Sequence, residues 1–530
     1  MFNPVLQRKI PALMATQHPD NACSPFWSDK PFISTNLEVE EIYQSFFGLG
    51  CDEYMWDWEG KFADEGMIER LMAGYFESFL KEQLGQDRFI TLRIPNIWEE
   101  KSFKLARAYM SVLSAGEFMK SLGLKVPPVF ELILPMTKSA DQLIHIQKTF
   151  QKTAQLHEQI FCSTAEESTV ASQNTSTPES HEDNSCTHFG EGYIHIIPLF
   201  ESVDDLSGCA SVLTDFFTAH QNHFKKLPPY LRVFIARSDP ALNAGFVSAV
   251  LASRLALREI ARLEKATGIP MHPIIGSGSL PFRGGLNPEN IQKVLPQYEG
   301  VRTVSIQSAF RYDYPQKEVQ DALKFIAEEL PKKKAPIFDD ATFEALKQLI
   351  QLFKGFYLPT LEKMAPHINE MAKHIPSRRE RVQHVGLFGY NRGVGEIKLP
   401  RAITFTGACY SMGIPPEFIG TGRGLKAVKE AGQLELLEQH FFTMRSELKH
   451  AGKFLNLENL QKFAETENWA QEILKDVLLT QEILGIELGP QKPQHHLHRN
   501  LTSSILLKQS MGLDFQDDLV EAAVMRKSIG

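Results

Sequence analysis

Cysteine is scarce in this chain: six residues in 530, Cys23, Cys51, Cys162, Cys186, Cys209 and Cys409, with no paired spacing. That scatter excludes a disulfide-framed secreted scaffold and fits a reduced cytoplasmic pool. Basic residues are also in deficit. Lys and Arg number 56 against 64 Asp and Glu, giving a net charge of −8 and a pI near 6.1. No cationic excess is left to neutralise a phosphate backbone, which argues against nucleic acid as a partner. No window approaches the ~18 uninterrupted apolar residues of a membrane span. The opening stretch MFNPVLQRKIPALM lacks the apolar segment of a signal peptide. With 43% hydrophobic and 23% charged residues, the expectation is a soluble cytoplasmic protein without nucleic-acid or membrane partners.

What is present is a repeated pattern. Apolar, β-branched runs end on Gly, Pro, Arg, Asp, Glu or Asn, as in TLRIPN (91–96), ELILPMT (131–137), HIIPLFES (195–202), RVFIARSD (232–239) and VSIQSAFR (304–311). Strands buried on both faces read as continuous apolar runs, and α/β enzymes place their chemistry at the C-terminal strand ends. Strand candidates are 53–58, 88–95, 128–136, 193–200, 230–237, 271–276, 301–308, 385–390 and 402–408. Helical spacing fills the gaps between them. Val319, Leu323, Ile326 and Leu330 line one face, SVLSAGEFMKSLGL behaves similarly, and FVSAVLASRLALREIARLEKATG closes on Gly268. About eight strands alternating with helices favour a (β/α)8 TIM-type barrel, with a doubly wound sheet as the alternative. Residues 425–530 read as almost wholly helical, packed on the barrel within a single 1–530 unit. The Ser/Thr/Glu/Asn-rich stretch 163–190 is too polar to bury a core and reads as a mobile insertion.

Three groups of residues carry candidate chemistry. Glu201 and Asp239 each follow an apolar strand directly. They read either as caps of the next helices or as a hard-oxygen site for Mg²⁺ or Mn²⁺. Arg93, Arg237, Arg283, Arg311, Arg392 and Arg401 all fall at or beside strand ends. Each alone reads as a surface ion pair; several on one rim would receive a multiply charged anion. GSGSLPFRGG (276–285) adds backbone N–H groups able to approach phosphate, and reads as a candidate lid. His18, beside Pro19 in the polar segment MATQHPDNA, reads as a solvated loop histidine or as an acid–base group. GTGRGLK (420–426) lacks the ending of a phosphate-binding P-loop and reads as a turn.

Taken in order, MATQHPDNA, YMWDWEGK, LRIPN, ELILPMT, IPLFESVDDL, ARSDPALNAG, GSGSLPFRGG, SIQSAFRYD, GLFGYNRGVGE and LPRAITFTGACYSMGIPPEFIGTG make the chain resemble the phosphoenolpyruvate carboxylases. The likeness is to the short, archaeal-type form that also occurs in some bacteria. The resemblance implies that phosphoenolpyruvate and bicarbonate are joined to give oxaloacetate and phosphate, through carboxyphosphate and an enolate. It implies His18, Arg93 and Arg283 as catalytic residues and Glu201 and Asp239 as ligands of Mg²⁺, with Mn²⁺ possible. Arg93, Arg237, Arg283, Arg392 and Arg401 would bind substrate. Ser277 stands where the long form has a further arginine. The tail AAVMRKSIG lacks the family's usual Asn, which removes the expectation of long-form feedback by aspartate or malate. A cytoplasmic homotetramer with an anaplerotic role in supplying four-carbon acids is also implied. Another barrel lyase acting on phosphoenolpyruvate or pyruvate would share the Glu/Asp metal pair.

Overall fold

Strand β1 (Leu13–Thr16), β2 (Glu53–Asp57), β3 (Phe89–Arg93), β4 (Glu131–Leu134), β5 (His195–Phe200), β6 (Leu231–Ala236), β7 (Met271–Gly276) and β8 (Thr303–Ile306) pair in chain order into a closed parallel barrel. Ladder β1–β8, with Leu13 opposite Val304 and Ala15 opposite Ile306, completes the ring. This computed structural model describes residues 9–58, 66–99, 104–124, 126–169, 193–380, 393–394 and 397–530. Helices such as Lys104–Ser121, Cys209–Phe224 and Phe246–Thr267 lie between the strands. This is the (β/α)8 barrel that the alternation of runs predicts. No helix among the described residues is long and apolar enough to cross a membrane.

Strand side chains alternate between two apolar surroundings. Met14, Met55, Ile133, Ile197, Leu199, Phe234, Ala236 and Ile274 form one buried cluster, contributed by alternate positions of six strands. This is the plug inside the barrel. The intervening residues, among them Ala15, Leu92, Leu132, Ile196, Val233, Ile235 and Val304, belong to a second, larger core, between barrel and helices. Burying such an aliphatic or aromatic side chain contributes roughly 1.5–3 kcal/mol, so slipping any strand by one residue would exchange both sets.

Below the plug, at the N-terminal end of the strands, the interior is charged. Arg232 donates through Nη1 to Glu53 Oε1 at 2.7 Å and Glu131 Oε2 at 2.8 Å, and through Nη2 to Glu53 Oε2 at 2.7 Å and Thr303 Oγ1 at 3.0 Å. Tyr230 donates to Glu131 Oε1 at 2.7 Å, and the Thr91 hydroxyl donates to Glu53. The floor is a fully buried guanidinium clamped by two carboxylates.

Three features differ from the sequence-based expectation, the first being that residues 420–426, read as a turn, open the helix Thr421–Glu430. Strand β1 arises from residues expected to lie in a polar loop. The predicted strand at 402–408 is instead part of a helix, Ala402–Ser411. Its Ile403, Thr404 and Thr406 suggest β-structure by propensity, but Phe405, Thr406, Gly407, Ala408, Cys409 and Tyr410 are all buried. Enclosure around most of the helix erases the amphipathic period that would mark it. Gly407 admits the close approach of Ile529, whose carbonyl oxygen lies 2.6 Å from where a Cβ would stand. The candidate strand 385–390 and most of the 163–190 insertion lie outside the described residues. The Val319–Leu330 face appears as helix Gln316–Glu329, with Val319, Leu323 and Ile326 buried. Helix Phe246–Thr267 ends at Gly268, whose φ of 72° is the left-handed cap the sequence predicts. From Thr421 onward the regular structure is helical, through Gln516–Met525.

Candidate active site

The C-terminal strand ends form the rim, and alternation decides which side chains face it. Asp57 and Arg93 end β2 and β3, sit opposite each other in register, and share the parity of the interior plug residue Met55. Arg93 donates to Asp57 through Nε (3.0 Å) and Nη2 (2.5 Å), a bidentate pair buried at the barrel mouth. Glu201 continues the inward parity of Ile197 and Leu199, directly after β5. Its Oε2 accepts the Met136 N–H at 2.8 Å, just after β4, where Met136 itself adopts a positive φ of 49°. Asp239 is half-buried in the first turn of the short helix Ser238–Ala244, directly after β6.

His18 follows β1 and is half-buried. Thr16 Oγ1 lies 2.9 Å from its Nδ1, and its carbonyl accepts the N–H groups of Asp20 at 3.1 Å and Ser308 at 3.4 Å. The rest of the turn is held from beneath. Asp313 accepts the Ala22 N–H (2.8 and 3.0 Å) and the Cys23 N–H (2.7 Å). Burial pushes the Asp313 carboxyl up to about 8, and burial with the Asp313 charge nearby pushes the Cys23 thiol up to about 11. Cys23 is therefore not an activated nucleophile.

Arg283 joins three parts of the rim. Its Nε donates to Ser238 Oγ at 3.2 Å, next to Asp239. Its Nη1 donates to Asp20 Oδ2 at 2.9 Å, in the His18 turn, and to a main-chain oxygen of Gly530 at 2.5 Å. Its Nη2 donates to Gln307 Oε1 at 2.5 Å, just past β8. The segment that carries it is no loose lid. Residues 277–287 are buried and closed by Gly278 N–H to Arg283 O (2.8 Å) and Leu286 N–H to Gly278 O (2.9 Å). Gly284, at φ 120°, packs on Ser277, where a Cβ would collide with the Ser277 hydroxyl. Glu417 accepts the Phe282 N–H at 2.8 Å, and burial pushes the Glu417 carboxyl up to about 7.

The other arginines separate. Arg237 follows the inward-facing Ala236 and so points outward, buried, with Nη1 3.5 Å from Ser253 Oγ. Its charge faces Glu447, whose carboxyl burial pushes up to about 7. Arg311 is buried behind β1, donating to Ser45 Oγ (2.7 Å), Thr16 O (2.6 Å) and Glu41 Oε1 (2.9 Å). Arg401 is half-buried at the start of helix Ala402–Ser411, where Phe405 packs 5.5 Å from Phe282, beside Arg283. Arg392 lies outside the described residues. Sequence reasoning missed Asp20, Asp57, Gln307 and Asp313, although all four stand inside motifs it singled out.

Glu201 and Asp239 end adjacent strands, and among the described residues no group of three His, Cys, Asp or Glu gathers as a ligand set. That donor set fits Mg²⁺, a hard cation commonly held by one or two carboxylates with water and substrate oxygens completing its shell. It does not fit a zinc centre closed by protein ligands.

The family model described as phosphoenolpyruvate carboxylase matches residues 10–530. Phosphoenolpyruvate carboxylase of Leuconostoc mesenteroides is 39% identical over 503 residues, covering 94% of each chain. The enzyme of that name from Metallosphaera sedula is 36% identical over 536 residues, covering 99% of this chain and all of the relative. The one from Pyrococcus abyssi is 36% identical over 460 residues, covering 86% and 90%. With bacterial and archaeal relatives alike matched nearly end to end, the chain belongs to the phosphoenolpyruvate carboxylase family.

Proposed function

We propose that this protein carboxylates phosphoenolpyruvate with bicarbonate, giving oxaloacetate and phosphate, at the rim formed by His18, Arg93, Glu201, Asp239, Arg283 and Arg401. The observation that carries the reading is Arg283, which ties the His18 turn to the turn bearing Asp239 and to the end of β8. Both substrates are anions, and a cationic rim beside a hard-oxygen site suits their capture. Glu201 and Asp239 would hold a divalent cation, Mg²⁺ or alternatively Mn²⁺, which when bound supplies charge neutralisation at substrate oxygens.

A bicarbonate oxygen attacks phosphorus and the bond from phosphorus to the enol oxygen breaks, leaving carboxyphosphate and the enolate. Arg283 and Arg401 are assigned to the phosphoryl oxygens, and Arg93, its plane fixed by Asp57, to the substrate carboxylate. The resemblance adds Arg392 to this set. Arg237 is assigned to the wall behind the rim, since its side chain faces Ser253 and Glu447. His18 takes the carboxyl proton of carboxyphosphate, which divides into CO₂ and phosphate. The Thr16 hydroxyl at Nδ1 sets the ring plane for this transfer. The enolate C3 then attacks CO₂. Water must be excluded, because an enolate that meets a proton leaves as pyruvate.

The reading includes an anaplerotic, cytoplasmic homotetramer in which residues 1–530 act as one catalytic unit, with 425–530 as its helical part; light scattering after gel filtration checks the assembly. Function is tested by coupling to malate dehydrogenase with and without bicarbonate. Phosphate release indifferent to bicarbonate would sink the proposal. His18→Asn should abolish oxaloacetate yet leave bicarbonate-dependent pyruvate formation; full activity removes His18 from its role.

A further inference from the structure

Asp20 is where the His18 turn meets Arg283. Its side chain is fully buried. Oδ2 accepts from Arg283 Nη1 at 2.9 Å, and Oδ1 accepts the Ala309 N–H at 2.7 Å. Its main chain is equally engaged. The N–H donates to the His18 carbonyl at 3.1 Å, and the carbonyl accepts from Ile529 N–H at 2.7 Å and Ser528 Oγ at 3.2 Å. The β1 turn, the Arg283 turn, the helix Ser308–Tyr312 and the 528–530 segment thus meet on one residue.

A buried carboxylate is costly unless paired and hydrogen-bonded, and breaking one side of such a pair leaves an uncompensated charge. Burial pushes the Asp20 carboxyl up, and the Arg283 guanidinium draws it back down. Ser238, Gln307 and a main-chain oxygen of Gly530 also hold Arg283. Of its partners, Asp20 is the one that belongs to the His18 turn.

We propose that Asp20 is a positioning residue that fixes the spacing between His18 and Arg283, so that phosphoryl transfer and proton removal from carboxyphosphate occur in one closed place. It touches neither substrate. The inference rests on the carboxylation reading above. Its consequence is specific: loosening the tie should uncouple the two halves of the reaction. Phosphate would still be released, but more enolate would be protonated to pyruvate before CO₂ is delivered to it.

The test is Asp20→Asn, which keeps one acceptor oxygen but turns an amide donor toward either Arg283 or the Ala309 N–H. Bicarbonate-dependent phosphate and oxaloacetate are measured in the same reaction mixture. Oxaloacetate formation is expected to fall on the order of 10²-fold, the scale of an ångström misplacement, and phosphate release by less, so their ratio drops several-fold. A role only in folding would lower both together, and the ratio does not depend on the folded fraction. A ratio equal to that of the parent chain overturns the proposal. Where Asp20→Asn alone folds too poorly to assay, adding Gln307→Glu returns a carboxylate to Arg283 without the tie to the His18 turn. The ratio should stay low in that double variant; its full return would reduce Asp20 to a counter-charge and overturn the proposal. A parent chain that forms no oxaloacetate would overturn the carboxylation reading itself, and this one with it.

Discussion

Arg232→Met separates the floor of the barrel from its rim. The parent guanidinium makes four hydrogen bonds of 2.7–3.0 Å, three of them to the Glu53 and Glu131 carboxylates, with all three charged side chains essentially inaccessible to solvent. Methionine fills similar apolar space but takes the guanidinium away from two buried acids, against which the Thr91 and Tyr230 hydroxyls remain. Removing one partner of a buried pair costs about 3–5 kcal/mol, and two stranded carboxylates place this case at the upper end. The loss should depend on pH. In the variant, burial raises the carboxyl pKa in the folded state above the unfolded value of about 4.3. The folded chain then keeps a proton that the unfolded chain has released. Stability relative to the parent should therefore recover on acidification, by about 1.4 kcal/mol per pH unit for each proton retained. Urea unfolding followed by circular dichroism at pH 7.5 and 5.5 reads both effects. Adding Glu53→Gln and Glu131→Gln should restore much of the loss, because no unpaired charge remains. An unchanged midpoint at pH 7.5, or an equal loss at both pH values, would refute the electrostatic account. Activity per folded molecule should persist, since the floor lies at the opposite end of the strands from the rim.

Three further outcomes follow from the rim. Asp313→Asn keeps an oxygen for the Ala22 and Cys23 N–H groups while removing a carboxyl that burial pushes up to about 8 from 3.8. A raised folded pKa gives stability that is complete below 3.8 and lost as pH climbs through 8. The parent should thus lose about 1.4 kcal/mol per pH unit between these values from this group; urea midpoints from pH 5 to 8 should fall less steeply in the variant, and parallel profiles would contradict it. Asp57→Asn breaks the bidentate hold on Arg93, worth about 1.5–3 kcal/mol for charged hydrogen bonds. KM for phosphoenolpyruvate should therefore rise by about tenfold or more, and an unaltered KM would detach Arg93 from substrate binding. Asp239→Ala should raise the Mg²⁺ concentration for half-maximal activity at least about tenfold, and an unmoved metal titration would take Asp239 out of the site.

Much of the barrel was legible because its strands are long apolar runs closed by polar residues. Strand β1 was not. It is only LMAT, four residues after Pro11, and neither its length nor its composition rises above the polar segment that follows. The helix Ala402–Ser411 was misread for the opposite reason, an excess of apolar and β-branched residues with no polar face to set a period. Asp20 and Asp313 were invisible as acceptors of backbone N–H groups 289 and 291 positions away, at Ala309 and Ala22, because only the closed ring brings the β1 turn against the helix after β8.

The arginines show what strand-end position leaves undecided. Arg93 and Arg237 both close apolar runs, yet one is paired at the barrel mouth and the other is buried outside it. Parity makes the difference, and the chain carries the clue to it. Glu53, Glu131 and Arg232 are charged residues within otherwise apolar strands, and charge is tolerated there only where partners converge, as they do inside a ring. They therefore mark the inward face of β2, β4 and β6. Counting from Glu53 by twos reaches Met55 and Asp57; counting from Arg232 reaches Phe234 and Ala236 and skips Arg237. The same step from Met14 through Thr16 arrives at His18. A buried charge at the bottom of a strand thus predicts which residue at its top faces the rim, and it assigns Asp57 to that rim while sending Arg237 behind the wall.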